Sequence, residues 1–215
     1  ILRARIEALM TLAAVASRTE KVMLGTATLL LPIRSPVLVA QMIATLDHIS
    51  GGRVILGVAP GGEDAKPEFE ACDVPFEKRG RRMDEAIKVL RMLWTKNDVN
   101  FSGEFYNLSG VTLDPKPVQK SYPKIWVGGA SKRTFQRVAE LADGWIPFDI
   151  PPEEYEKHWR SIAVLAKAQG RSLSEIHPSV YLYTNLEPEA RSFETGEDFY
   201  LGGMHESTLS THGRK

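Results

Sequence analysis

The sequence predicts an α/β chain with parallel strands, built either as an open doubly wound sheet or as a (β/α)8 (TIM) barrel. Three observations predict it. Strand-like and helix-like stretches alternate along the chain in βαβα order. The strand segments are short and nearly all apolar, as in parallel sheets covered on both faces. Residues 122–138, YPKIWVGGASKRTFQRV, pass from a strand through a glycine pair into a helix. A complete barrel takes about 250 residues, and this chain has 215. Five strands and a start inside a helix predict an incomplete barrel that lacks its first two strands and its last, and carries an inserted hairpin.

Taken in order, residues 1–17 place apolar side chains at 2, 6, 9, 10, 12, 13 and 16, the pattern of an amphipathic helix. Residues 22–31, VMLGTATLLL, read as a strand buried on both sides and ended by Pro32. Ser35 as N-cap and Pro36 at the first helical position start a helix over 36–48, which stops at Gly51 and Gly52. Residues 53–58 form the next strand, which completes a right-handed βαβ unit. Residues 63–80 are a polar excursion with short helical pieces at most. Residues 78–94 form a helix with Met83, Ile87, Leu90 and Trp94 on one stripe. Residues 97–111 alternate as a hairpin around Ser102 and Gly103. Residues 124–127 are a strand, 132–141 a helix, 145–148 a strand and 153–169 a helix closed by Gly170. One more strand is expected over 179–185. The domain is expected to span 1–190, with 191–215 a poorly ordered tail. The chain does not begin with Met and Ile1 falls inside a helix, so an N-terminal part is expected to be missing.

Lys plus Arg and Asp plus Glu both number 27, which removes the global electrostatic case for nucleic acid or an acidic membrane surface. No apolar run reaches membrane-spanning length, and no signal peptide is visible. Cys72 is the only cysteine, so intrachain disulfides and zinc clusters are excluded, in keeping with a reducing cytoplasm.

Gly128, Gly129, Ala130 and Ser131 form the first candidate site. A strand ending in glycines at a helix N-terminus presents several backbone N–H groups together, which suits a phosphate. The glycines let the backbone come close, and Ser131 can cap the helix or donate to the same anion. The plainer reading is a strand-to-helix turn that binds nothing. Glu63 follows Ala59–Gly62 (APGG), where catalytic groups of α/β folds collect, and could act as a general acid. Otherwise it is a solvated loop charge. Asp47, His48 and Arg53 surround a turn at the amino end of a strand. They are read as structural, with Asp47 pairing Arg53 or bonding the turn. Lys78, Arg79, Arg81 and Arg82 crowd a helix start against its dipole. Either an anionic ligand or Glu77, Asp84 and Glu85 would compensate them. No nucleophile elbow, P-loop or G-x-G-x-x-G follows any strand.

Together, residues 17–61 (with TLDHISGGR), 75–94 (PFEKRGRRMDEAIKVLRMLW), 101–106, 115–119, 123–131 (PKIWVGGAS) and 142–148 (ADGWIPF) resemble the luciferase-like monooxygenase family. The likeness covers roughly residues 1–185. PFEKRGRRMDEA and the segment after DGWIPF resemble most the branch that uses the deazaflavin coenzyme F420. The resemblance implies a (β/α)8 barrel with the cofactor at the carboxyl ends of the strands, and a homodimer. It implies that Gly128, Gly129, Ala130 and Ser131 hold the cofactor phosphate, with Thr28 and Gly61 as further cofactor-binding positions. It also implies a bulge with a non-proline cis peptide somewhere in 26–31, and Glu63 as proton donor. The expected activity is that of a flavin- or deazaflavin-dependent oxidoreductase. F420 would mean hydride transfer to or from a small organic substrate, and flavin mononucleotide (FMN) would mean a monooxygenase. A non-catalytic flavin-binding subunit and an unrelated phosphate-binding barrel are the rival readings.

Overall fold

Alternation along the strands sets the layers of the fold. The computed structural model describes residues 6–182. Residues 1–5 and 183–215, with the predicted tail and the end of the strand expected over 179–185, lie outside the described residues. Residues Ile1–Tyr181 group as one compact unit, and Leu182–Lys215 are divided from it as a second. The first unit runs α1 (Ala8–Ala16), β1 (Leu24–Gly25), β2 (Leu29–Leu30), α2 (Pro36–Ser50), β3 (Val54–Ala59), α3 (Lys66–Ala71) and α4 (Arg79–Thr95). It continues with β4 (Val99–Ser102), β5 (Asn107–Val111), β6 (Lys124–Gly128), α5 (Lys132–Leu141), β7 (Gly144–Ile146), α6 (Pro152–Ala168) and β8 (His177–Pro178).

The main sheet is parallel throughout, in the order β1–β3–β6–β7–β8, with β2 also paired to β3. A parallel bridge from Phe148 to Tyr181 extends the last pairing. Strands β4 and β5 form the antiparallel hairpin outside this sheet, with a register irregularity between Val99 and Phe101. Val54, Leu56 and Val58 of β3, with Ile125 and Val127 of β6, are buried on the helix-covered face. Helix α4 supplies the predicted stripe: Met83, Ile87, Leu90 and Trp94 are all buried, and the Trp94 indole donates to the Ala40 carbonyl of α2 at 3.1 Å. Each such fully buried side chain contributes about 1.5–3 kcal/mol. Trp145 of β7 is buried among the rings of Phe135, Tyr155 and Trp159 on α5 and α6.

The strand expected over 22–31 differs most from expectation. It is interrupted at Thr26–Thr28, and Ala27–Thr28 is a cis peptide within the window the resemblance gave. The cause of the close approach lies on β3. A Cβ on Gly57 would stand 1.9 Å from the Thr26 carbonyl oxygen, and the Thr26 hydroxyl donates to the Gly57 carbonyl at 2.7 Å. Nor is this strand buried on both sides: Val22 and Met23 are about half exposed. Helix α2 starts at Pro36 as expected, but the Ser35 hydroxyl makes no capping bond, and the helix ends on Gly51 at φ +66°.

The amino ends of the strands are tied by polar side chains. Asp47, fully buried, accepts from the Gln119 backbone at 2.9 Å and from its side-chain amide at 2.6 Å. It does not pair with Arg53. Arg53 instead reaches the carbonyls of Ser50, Ala16, Thr19 and Val22 and the Thr19 hydroxyl, at 2.7–3.2 Å. The His48 ring lies 2.8 Å from the Lys116 carbonyl. Asp143 accepts from the Ile125 N–H, the Tyr122 hydroxyl and Arg91. Burial, and next the Asp143 charge, push the Tyr122 phenol above its ordinary pKa.

Candidate cofactor site

The carboxyl end of β6 holds the candidate site. Gly128 ends the strand, and Gly129 turns the chain at φ +106°, a conformation that glycine adopts without strain. The indole N–H of Trp145 donates to the Gly129 carbonyl at 2.8 Å. Ser131 is the N-cap of α5, its hydroxyl oxygen accepting from the Thr134 N–H at 3.1 Å. The Thr134 hydroxyl stands 2.9 Å from the same oxygen. Ala130, Ser131, Lys132 and Arg133 are exposed, so the first turn of α5, with its unpaired N–H donors and two cationic residues, is open to solvent. This donor set fits a phosphate.

The reason Gly129 must be glycine is not the one the sequence suggests. A Cβ there would face Thr134 Oγ1 at 3.1 Å, on the protein side of the turn, instead of filling the phosphate approach. The constraint is the backbone angle. Gly128 is held by close approach: its Cβ would stand 2.9 Å from Thr28 Cγ2. Thr28 and the glycine turn are therefore neighbours, with the interrupted strand beside the turn.

Gly61 and Glu63 lie on the loop that leaves β3 at the same end of the sheet. Gly61 is at φ +87°, and a Cβ would meet Leu30, Ala65 and Phe69 at 3.1–3.3 Å. Its carbonyl accepts from Arg79 Nε at 2.9 Å, and the Arg79 guanidinium lies 3.7 Å from the centre of the Phe76 ring. The Glu63 side chain is 82 % exposed and 3.5 Å from Arg79. The carboxyl is thus solvated, as the reading of Glu63 as a loop charge has it.

The basic cluster is compensated by acids, though mostly not those expected. Glu104 of the hairpin loop bridges Lys78 and Arg81 at 2.8 Å each. Asp84 pairs with Arg137 instead, and Glu85 accepts the backbone N–H groups of Glu104 and Phe105. Arg82 lies over the rings of Phe105 and Tyr106. No group of three or more His, Cys, Asp or Glu among the described residues could hold a metal ion. A cavity of about 650 Å³, lined by Ile55, Lys124, Trp126, Glu175 and His177, opens at the amino end of the sheet. Function in parallel α/β folds collects at the other end, so this cavity is not the candidate site.

Sequence reasoning missed Trp145 and Thr134. Thr134 was within reach only as the residue whose N–H a serine N-cap accepts, since no Glu or Gln stands there to complete a capping box. Trp145 sits 16 residues from the carbonyl it holds, and no local signal announces it.

Parallel strands joined by helices, with a glycine-ended turn at the carboxyl end of β6, define part of a (β/α) barrel. A family profile described as luciferase-like monooxygenase matches residues 3–212, and the chain belongs to that family. It is 31% identical over 161 residues to the FMNH2-dependent dimethylsulfone monooxygenase of Pseudomonas putida, covering 74% of this chain and 44% of the relative. It is 32% identical over 184 residues to the 5,10-methylenetetrahydromethanopterin reductase of Archaeoglobus fulgidus, covering 83% and 53%. The solved coenzyme F420-dependent tetrahydromethanopterin reductase of Methanopyrus kandleri superposes with a TM-score of 0.73 at 26% identity, over 82% of this chain and 54% of that one. The chain thus spans about half the length of the relatives it matches. The family holds both F420- and FMN-dependent oxidoreductases. No helix among the described residues is long and apolar enough to cross a membrane.

Proposed function

We propose that this chain is, or belongs to, an F420-dependent oxidoreductase that passes a hydride to or from a small organic substrate in the cytoplasm. The observation that carries the reading is the glycine-ended β6 running into an α5 capped by Ser131, in a chain of this family. Gly128, Gly129, Ala130 and Ser131 would hold the cofactor phosphate, and Thr28 and Gly61 would border the ring. Bound deazaflavin would supply the hydride chemistry, since it carries carbon where flavin has its reactive nitrogen. The chain's own part is to fix the phosphate, orient the ring and exclude water. Glu63 is the proposed proton donor, and its exposure leaves it free to meet a substrate entering from solvent.

The second reading, an FMN-dependent monooxygenase, is favoured by the likeness to the dimethylsulfone enzyme. A fluorescence titration of the purified chain with F420 and, separately, with FMN tests both. Binding of F420 alone is the expected result. Binding of FMN alone overturns the deazaflavin reading in favour of the monooxygenase. Binding of neither removes the cofactor assignment for this chain. A homodimer completes the proposal. It is supported by exposed apolar residues on the adjoining helices α1 and α2, namely Met10, Leu38, Met42 and Ile49.

A further inference from the structure

Two buried residues beneath the turn determine where its donors point. The Gly129 carbonyl is drawn into the core by the Trp145 indole at 2.8 Å, and Trp145 itself is fully buried. The Gly129–Ala130 peptide is trans, since the cis bonds of the described chain lie elsewhere. In a planar trans peptide the C=O and N–H point in opposite directions. Holding the carbonyl inward therefore turns the Ala130 N–H outward.

Thr134 acts on the next residue. A serine hydroxyl has one proton and two acceptor positions. The Thr134 N–H occupies one acceptor position of Ser131 Oγ, at 3.1 Å. The Thr134 hydroxyl, 2.9 Å away and 3% exposed, can occupy the other. With both filled, the single Ser131 proton is left to point away from the protein. An anion only accepts, so its presence favours this orientation over the one in which Ser131 donates to Thr134.

We propose that Trp145 and Thr134 are positioning residues that aim the Ala130 N–H and the Ser131 O–H at the cofactor phosphate. The proposal rests on the phosphate reading of this turn. Neither residue touches the phosphate. Each acts through the group it orients, so its effect is confined to ligands that carry a phosphate.

The test compares FMN with riboflavin, and F420 with its dephosphorylated deazaflavin core, by fluorescence titration of the full chain. Thr134→Val keeps the shape and removes the hydroxyl. It should weaken the phosphorylated ligand by about tenfold, the scale of a hydrogen bond to a charged group. The dephosphorylated ligand should change less than about twofold on the same scale. Thr134→Ser should restore the difference. Trp145→Phe keeps most of the ring packing, loses the indole donor, and should show the same split. Equal weakening of both ligands would mean a merely structural role and would overturn the proposal. So would a Thr134→Val protein that discriminates as well as wild type. If wild type itself does not prefer the phosphorylated form, the phosphate reading falls, and the proposal with it.

Discussion

Replacing Gly57 with Ala should damage the protein at one identifiable point, the close crossing of β3 and the Thr26–Thr28 segment. The new Cβ would stand 1.9 Å from the Thr26 carbonyl oxygen and 3.1 Å from its carbonyl carbon. The obstructing atom is backbone, so no rotamer change relieves it. Thr26 must retreat by about 1 Å, and overpacking of this kind costs about 1–3 kcal/mol. The retreat also strains the 2.7 Å bond from the Thr26 hydroxyl to the Gly57 carbonyl, worth a further ~1 kcal/mol. For a chain of this size each kcal/mol moves the melting temperature by about 2–4 °C, so a fall of roughly 4–16 °C is expected. Gly25→Ala is the matched control. It lies on β1, paired with the same strand, and its Cβ would find only ordinary contacts at 3.7 and 3.9 Å. Thermal unfolding followed by circular dichroism compares the two, and a cofactor titration on each shows whether the displaced segment borders the ring. If Gly57→Ala melts within a degree or so of Gly25→Ala, the close approach is not what shapes this segment, and the argument fails.

Other expectations are smaller. Ser131→Ala removes the acceptor for the Thr134 N–H and should cost about 1 kcal/mol of stability, read from the melting temperature. Glu63→Gln should leave stability within ~0.5 kcal/mol, because its ion pair with Arg79 is long and exposed, while turnover falls if the carboxyl donates a proton. Unchanged turnover would remove that role. The hydrogen bond from Lys78 holds the Glu104 carboxyl below its ordinary pKa. Its contribution is therefore complete above the ordinary carboxylate value and is lost as pH falls through the lowered one. The melting-temperature difference between wild type and Glu104→Gln should accordingly be present at neutral pH and vanish in acid. Leu38→Lys with Met42→Lys should convert a homodimer to monomer in light scattering, and an unchanged mass would place the contact elsewhere.

Local pattern revealed most elements, because their cause is local. Pro36 and Gly51 bracket α2, the Met83–Trp94 stripe marks α4, and the alternation around Ser102 marks the hairpin. The parallel sheet followed from strands too apolar for one wet face. What the sequence hid depends on contacts between distant residues. VMLGTATLLL contains no residue that forbids a continuous strand, and its interruption is coupled to Gly57, some 30 positions later. Asp47 stands six residues from Arg53, and proximity suggested a pair, yet its carboxylate is taken by Gln119, 72 residues away. The strand-to-helix turn was legible as GG-x-S, whereas the indole that bonds its Gly129 carbonyl was not. Glu63 was legible as a solvated loop charge, because a polar stretch after Gly61 and Gly62 has little apolar surface to bury, but its pairing with Arg79 was not.

Arg53 has a consequence for how this chain tolerates change. Four of the five oxygens its side chain reaches are main-chain carbonyls, one on the last residue of α1 and two in the connection between α1 and β1. A carbonyl is the same whatever residue carries it. The guanidinium thus gauges the length and path of that connection and reads a side chain of it only at the Thr19 hydroxyl. Substitutions at Ser17, Arg18, Glu20 and Lys21 should drift freely, but a one-residue insertion or deletion before Thr19 would shift the Thr19 and Val22 carbonyls out of register with the guanidinium. The segment is permissive in spelling and strict in length.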